Sequence, residues 1–179
     1  MIQNCYPGAW RIHCGDERNG DSTRERGDFG AIRRIAHRAW DEAYDDILDE
    51  DTITETVSSW YSNESLSDAL DKPGTAFLVA VTDDELIGFC HAVFYEDEGD
   101  VLRLYVDPDD WGNGVGTALH ERLREDFHDF NTKRMKAMVL ADNDIGNEFY
   151  KRLGFEKTDE ASVELGDEEY AENVYTYAF

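Results

Sequence analysis

Lysine is scarce in this chain: five among 179 residues, against 41 aspartates and glutamates. With 17 basic residues in all, the net charge is −24. A surface so poor in cations offers little to a phosphate backbone or an anionic bilayer, so neither nucleic acid nor membrane is expected as a partner. Cysteine is scarce as well. Cys5, Cys14 and Cys90 are odd in number and match no zinc spacing, so neither a disulfide framework nor a metal site is expected. Free thiols suit a reducing compartment. With no signal peptide and no apolar run long enough to cross a bilayer, the expected location is cytoplasmic. No Gly-Lys-Ser/Thr tripeptide occurs, which removes the P-loop nucleotide binders.

Acid and aromatic rings are what the chain has in quantity. Four Trp, nine Tyr and nine Phe, with 41% apolar residues, describe a folded globule. The length suits one domain with a sizeable core, placed at residues 21–179. Residues 1–20 read as an N-terminal extension, expected to be mobile apart from a short strand at Ala9 to His13. The acid is spread along the whole chain and not held in one tail. Of two explanations, a cationic partner or adaptation to very high salt, the even spread favours the second. At molar salt the Debye length is about 3 Å, so self-repulsion is screened.

Apolar periodicity predicts a helix from Asp28 to Leu48, capped by Asp28, with Ile32, Ile35, Ala36, Ala39, Ala43, Ile47 and Leu48 on one stripe. Trp40 and Tyr44 share a side, either as core or as one wall of an acceptor pocket. A second helix is expected from Thr52, with Glu55 completing a capping box, and a third short piece runs from Asn63 or Ser65 to Leu70. Then come strands Thr75 to Thr82 and Leu86 to Tyr95, a turn at Glu96 to Asp100, and a strand from Val101. These three form a meander, apolar enough for burial on both faces. Arg134 to Leu140 is a further strand. A short helix follows Asn143, with Ile145, Phe149 and Leu153 as its stripe and Gly154 as its stop. Two strands close the chain, Glu156 to Leu165 and Tyr170 to Tyr177, joined at Gly166-Asp167.

The most informative stretch is Val101 to Phe127. Asp107-Pro108 ends its strand, because proline fixes φ and brings no N–H. Gly112-Asn113-Gly114-Val115-Gly116 follows, and from Val115 a helical stripe begins, Val115, Leu119, Leu123 and Phe127. Glycines ahead of a helix let the backbone press against a ligand and turn N–H groups toward it. The helix start adds unpaired donors and a positive dipole end, which suits a phosphate or pyrophosphate. The spacing is not that of a dinucleotide fold, since the sixth position is Thr117 from Gly112 and Leu119 from Gly114.

Trp111-Gly112-Asn113-Gly114-Val115-Gly116 resembles the Gln/Arg-x-x-Gly-x-Gly/Ala motif of the GNAT superfamily of N-acetyltransferases, with Trp111 in place of Gln or Arg. Asn143, Tyr150, Gly154 and Phe155 resemble that family's second motif, Asn-x-x-Ala-x-x-x-Tyr-x-x-x-Gly-Phe, with Gly146 in place of Ala. The resemblance covers Asp28 to Phe179. It implies an α/β (α+β) acyl-CoA N-acyltransferase fold: a mixed, mostly antiparallel central sheet flanked by helices. Two parallel strands, near Leu104 and near Met138, would splay to admit acetyl-CoA.

By the same resemblance Leu104, Tyr105 and Val106 border the donor, and a backbone N–H near Val106 meets the oxyanion. The loop Gly112, Asn113, Gly114, Val115, Gly116 and Thr117 holds the pyrophosphate, and Asn143 meets the pantetheine arm or a nearby water. Tyr150 protonates the leaving thiolate; a phenol of pKa about 10 is matched well enough to a thiol of about 8.5. Otherwise Tyr150 is a packed helix residue. The base is open. Met138 stands where some members carry glutamate, which leaves Glu96, Asp97, Glu98 or His91, a water chain, or an amine of lowered pKa. Glu96 is the carboxylate chosen.

The expected activity is acetyl transfer from acetyl-CoA to a primary amine, on a small molecule or a protein, with a homodimer left open. The alternative is a non-catalytic acyl-CoA-binding or sensor domain of the same fold. A third reading is an interaction domain using its acidic surface, which predicts no stabilisation by coenzyme A. If the acidic surface is an adaptation to salt, the urea midpoint of unfolding should fall steadily as potassium chloride is diluted from molar to millimolar. Equal midpoints across that range would refute the adaptation.

Overall fold

The structure, a computed structural model, describes residues 10–14, 28–83 and 85–179. Helix α1, Phe29–Tyr44, buries Phe29, Ile32, Ile35, Ala36, Ala39, Trp40 and Tyr44 along one stripe. It ends sooner than its periodicity predicts, because the Ile47 and Leu48 N–H groups both return to the Tyr44 carbonyl at 2.8 Å. Leu48 stays buried in the turn that results. Asp28 precedes the helix, but its side chain makes no capping bond.

Helix α2, Glu50–Trp60, also departs from its expected start. Its cap is Asp49, whose carboxylate accepts from the Thr52 N–H at 2.9 Å and the Thr52 hydroxyl at 2.8 Å. Two bonds to Thr52 hold the Asp49 carboxyl below its usual range. A carboxylate accepts more strongly than a hydroxyl at a helix N-terminus, so the threonine became the donor. Helix α3, Asn63–Asp71, is capped by Ser62.

The strands are β1 (Trp10–Cys14), β2 (Thr75–Thr82), β3 (Glu85–Tyr95), β4 (Glu98–Val106), β5 (Arg134–Leu140), β6 (Glu156–Leu165) and β7 (Glu168–Ala178). They form one sheet in the order β1-β2-β3-β4-β5-β7-β6. Strand β1 pairs antiparallel with β2, so part of the expected extension belongs to the sheet. Ala9 and the rest of residues 1–20 lie outside the described residues. Strands β4 and β5 run parallel. Helix α4, Val115–Asp129, connects them, the crossover that a parallel pair requires.

Each face of the sheet carries its own core. On one face, Val115, Leu119, Leu123 and Phe127 of α4 pack on Leu78, Cys90, Val106, Met135, Ala137 and Val139. On the other, α1 to α3 pack on Phe77, Phe89, Leu140 and Leu165. Strand β3 lies under both layers, and Leu86 to Val93 are buried without interruption. This is the pattern of a strand covered on both sides. No helix among the described residues is long and apolar enough to cross a membrane.

Strand β4 is irregular at one point. Arg103 faces His91 and Val101 faces Ala92, so Leu102 has no partner on β3. An unopposed residue bends its strand and raises the local twist. On the other edge, β4 pairs with β5 from Glu98 to Val101. Past Leu102 the two strands part, and Leu102 and Met138, 46% and 51% exposed, stand at the opening.

Two histidines sit inside the cores with no partner on either ring nitrogen, His91 and His120. Burial lowers both to about 4. The unfolded chain, with histidine near 6.5, takes up these protons first. Their contribution is therefore complete above about pH 6.5 and is lost as pH falls toward 4, at up to roughly 3 kcal/mol each. His120→Leu should lose less stability than the parent between pH 7.5 and 4.5 in urea titrations. Parallel losses in the two proteins would rule out the histidine as a cause.

Candidate functional site

The parting of β4 from β5 leaves backbone groups of β4 without a ladder partner. The Asp107 N–H donates to the Ile87 carbonyl on β3 at 2.8 Å. Peptide directions alternate along a strand, so the Val106 and Leu104 N–H groups point the other way, into the gap. The Val106 carbonyl agrees with this direction, since it accepts from the Trp111 indole N–H at 2.8 Å and not from β3. Leu104 and Val106 therefore line the gap with N–H donors along one wall, while the Tyr105 peptide faces β3.

The chain next makes a short 3-10 turn, Pro108–Asp110. The Asp107 carboxylate accepts the Asp109 N–H and is gripped by Arg38 of α1 at 2.5 Å through both of its oxygens. Arg38 also reaches Asp109 at 2.9 Å. Helix α1 is thus bolted to the end of β4. Gly112 and Gly114 have φ of +78° and +82°, the left-handed region, and a Cβ at either would meet open space. The constraint on them is conformational, not steric. Gly112, Asn113, Gly114 and Thr117 are exposed, Val115 is buried, and Gly116 packs beneath Phe149 and Leu104. The first bond of α4 runs from Ala118 N–H to the Gly114 carbonyl at 3.0 Å. The N–H groups of Val115, Gly116 and Thr117 are then the free donors of a helix start, beside an open glycine turn. The loop supplies no cationic side chain, so an anion there is held by backbone donors.

Across the gap, β5 leads into α5, Asp144–Arg152. Asn143 caps it, its side-chain oxygen accepting from Gly146 N–H at 3.0 Å. A Cβ on Gly146 would lie 2.8 Å from Val139 Cγ1 and 2.7 Å from Asn143 Nδ2, which explains glycine at that place. Helix α5 turns Asn147 and Tyr150 inward, and Ile145 of the expected stripe is 50% exposed. Asn147 anchors the assembly. Its amide donates to the carbonyls of Leu140 and Asn143 at 3.0 and 2.7 Å. Its oxygen accepts from Asn173 and Tyr175 at 2.8 and 2.7 Å.

The Tyr150 ring is buried among Phe149, Phe155 and Tyr175. Burial pushes its phenol well up, with Cys90 and Tyr105 as charged-state neighbours. Tyr44 is also pushed up by burial and then by Tyr105, with the Asn143 side chain opposing and Tyr150 nearby. Tyr44, Tyr105, Asn143 and Tyr150 therefore gather at the open end of the gap from three elements and a loop. Trp40 meets Tyr44 edge-on at 4.9 Å, within the core of α1.

Glu96 is not part of this group. It occupies the tight turn between β3 and β4 with φ of +51°. Strand β4 begins at Glu98, three residues before its predicted start, so the turn is shorter than its acidic run suggested. At about 3.3 Å per residue, Leu104 lies roughly 20 Å from Glu98 along the strand. The neighbouring acids are occupied: Asp97 pairs with Lys133 at 2.9 Å and Glu98 with Lys136 at 2.8 Å and with Arg134. His91 lies under Phe77 with no hydrogen-bond partner. Geometry thus separates the turn carboxylates from Tyr150. Arg38, Asp107 as a carboxylate anchor and Asn147 were missed in the sequence, whereas Tyr44 was named there with Trp40 as core or pocket wall. Only Asn147 left a sign there, a polar residue on the inward face of a short helix.

Residues 31–155 match the family model described as Acetyltransferase (GNAT) family. A spermidine N(1)-acetyltransferase from Thermoplasma acidophilum is 25% identical over 136 residues, covering 74% of this chain and 84% of that protein. The fold is similar to that of PaiA N-acetyltransferase from the same organism, solved in complex with coenzyme A. That similarity has a TM-score of 0.76 at 22% identity and covers 94% of this chain and 99% of the other. It is also similar to ribosomal-protein-S18-alanine N-acetyltransferase from Escherichia coli, at TM-score 0.67 and 17% identity, over 94% and 93% of the two chains.

Trp111→Phe should keep the ring and remove the donor to Val106. The unpaired carbonyl should cost about 1–2 kcal/mol in denaturant titration. An unchanged midpoint would show that the indole bond does not hold the loop.

Proposed function

The chain belongs to the acetyltransferase (GNAT) family, and from that premise we propose that it transfers an acetyl group from acetyl-CoA to a primary amine by direct attack. The observation that carries the reading is the gap: Leu104 and Val106 N–H groups on one wall, Tyr150 on the other, and the glycine cradle at its mouth. Val115 to Thr117 N–H groups would receive the pyrophosphate, and the gap would take the pantetheine arm in place of a strand partner. The Leu104 or Val106 N–H would stabilise the oxyanion that forms on the acetyl carbonyl as the amine adds. The Asn143 oxygen caps α5 and its amide NH₂ faces Tyr44, so that NH₂ is the group it would offer to the arm or a water.

Tyr150 is the proton donor to the departing sulfur. Its phenol stays protonated at any working pH, so the proton is always at hand. A sulfur leaving into the same buried space is desolvated too, which brings the two affinities closer.

The acceptor proposed is a small cationic amine of the polyamine kind. The relative named as a spermidine N(1)-acetyltransferase supports this class. Salt adaptation remains the proposed reason for the overall acidity.

Acetyl-CoA should raise the melting temperature, since it binds only the folded state. Gly114→Glu should abolish that rise by placing bulk and negative charge in the cradle. With spermidine as acceptor, Tyr150→Phe should retain the rise and lower kcat by about 10²–10⁴-fold. A parent protein that shows the rise but releases no thiol with any amine of a broad panel would be a binding domain and not an enzyme.

A further inference from the structure

The site as described has a proton donor and no proton acceptor. An amine arriving as an ammonium must lose a proton before it can attack, and the turn carboxylates stand at the wrong end of β4. The face of the sheet that carries α1 to α3 offers one acid in the right place. Helices α1 to α3 cover β2, β3 and β4 on that face and reach Leu140 and Leu165, while Met138 on β5 stays open. Residues directly opposite in an antiparallel ladder share a face. Leu140, which belongs to the core of that face, is opposite Glu172, and Met138 is opposite Val174. Glu172 therefore lies on the same face, half-buried between covered Leu140 and open Met138, one strand from the gap and level with the end of β5.

We propose that Glu172 is the proton acceptor for the amine, reaching it directly or through one water. Three features set this acid apart from the many others. It is half-buried, whereas most carboxylates of the chain are exposed. Its side chain has no ion pair or hydrogen bond among the described residues. Burial alone raises it, with no cation facing it to hold its proton off. The charged groups that share the face are placed elsewhere: Arg103 lies over the Tyr61 ring and donates to the Trp60 carbonyl, Lys136 and Arg134 are held by Glu98, Asp159 lies beyond on β6 opposite Val174, and Asp49 caps α2 beside Tyr170. Met138 and Leu102 supply an apolar floor for the methylene chain between the amines of an extended acceptor.

The protons balance. Glu172 takes one from the ammonium, and the freed nitrogen lone pair forms the N–C bond. The C–S bond breaks with its electron pair on sulfur, Tyr150 protonates that sulfur, and the second proton shed by nitrogen restores Tyr150. Glu172 then releases its proton to solvent, the one proton the net reaction yields.

The inference rests on the acetyltransferase reading, and the two fail differently. With parent, Glu172→Gln and Glu172→Asp in the full chain, thiol release from acetyl-CoA is measured with spermidine from pH 4 to 10, beside the melting rise caused by acetyl-CoA. A parent without turnover sinks the acetyltransferase reading itself. If the inference holds, Glu172→Gln keeps the parental melting rise and the KM for acetyl-CoA. Its kcat falls by about 10²–10⁴-fold and rises with pH only as the amine itself ionises, while Glu172→Asp recovers part of kcat together with the carboxylate's acidic limb. An active parent matched by Glu172→Gln in kcat and acidic limb would overturn the inference, as would a rise in spermidine KM alone. A Glu172→Gln chain that fails to melt cooperatively, with Glu172→Asp folded but showing no acidic limb, would overturn it as well.

Discussion

The structure depends on where one parallel strand pair stops. Strands β4 and β5 are bonded over Glu98 to Val101 and Arg134 to Ala137, and no further. A sheet interior normally leaves no backbone donor unpaired, because a buried free N–H costs as much as a lost hydrogen bond. Here the unopposed Leu102 bends β4 away and frees donors that a ligand must satisfy. A strand of pantetheine-like chemistry, with amides of its own, is a natural occupant of such a break. The crossover helix α4 starts at the mouth of the same break, so its orphan N–H groups and the free strand donors line one continuous opening.

Keeping a sheet open requires that its walls be held apart. The structure does this with polar anchors, since apolar contact is undirected and would let the gap close. Asn147 meets five partners on β5, β7 and the turn from Ala141 to Asn143, which sets the position of Tyr150. Arg38 and Trp111 perform the same service on the other wall, one through Asp107 and one through the Val106 carbonyl. Each anchor is a buried or half-buried polar group with its partners in place, the condition under which such groups add rigidity at small cost.

Burial also decides which groups can exchange protons. Tyr150 and Tyr44 are driven up by desolvation and remain neutral, and His91 and His120 are driven down and remain neutral. Among the carboxylates, ion pairing holds Asp97 and Glu98 low, while burial without a partner raises Glu172. A chain this rich in acid thus separates its carboxylates by environment, not by number.

Much of the site could be read from residues next to one another in the chain. The glycine turn, the helix after it, the Asp107-Pro108 stop and the Gly154 stop are local events, set by φ, by missing N–H groups and by periodicity within a few residues. So were the β2–β3–β4 meander and the bounds of β5. Helix starts were less legible: the Asp49 cap wins over Thr52 by a difference in acceptor strength that spacing alone does not express. The place of the acids was not legible at all. Glu96 is near the glycine loop in sequence and about a strand length away in space, whereas Glu172 is far along the chain and one strand from the gap. Sequence determines the face a residue takes within its own strand, since side chains alternate by twos. Which strand lies next to which, and so which carboxylate stands one strand from the gap, was decided by the order β4-β5-β7, a pairing of distant segments driven by burial of their shared faces.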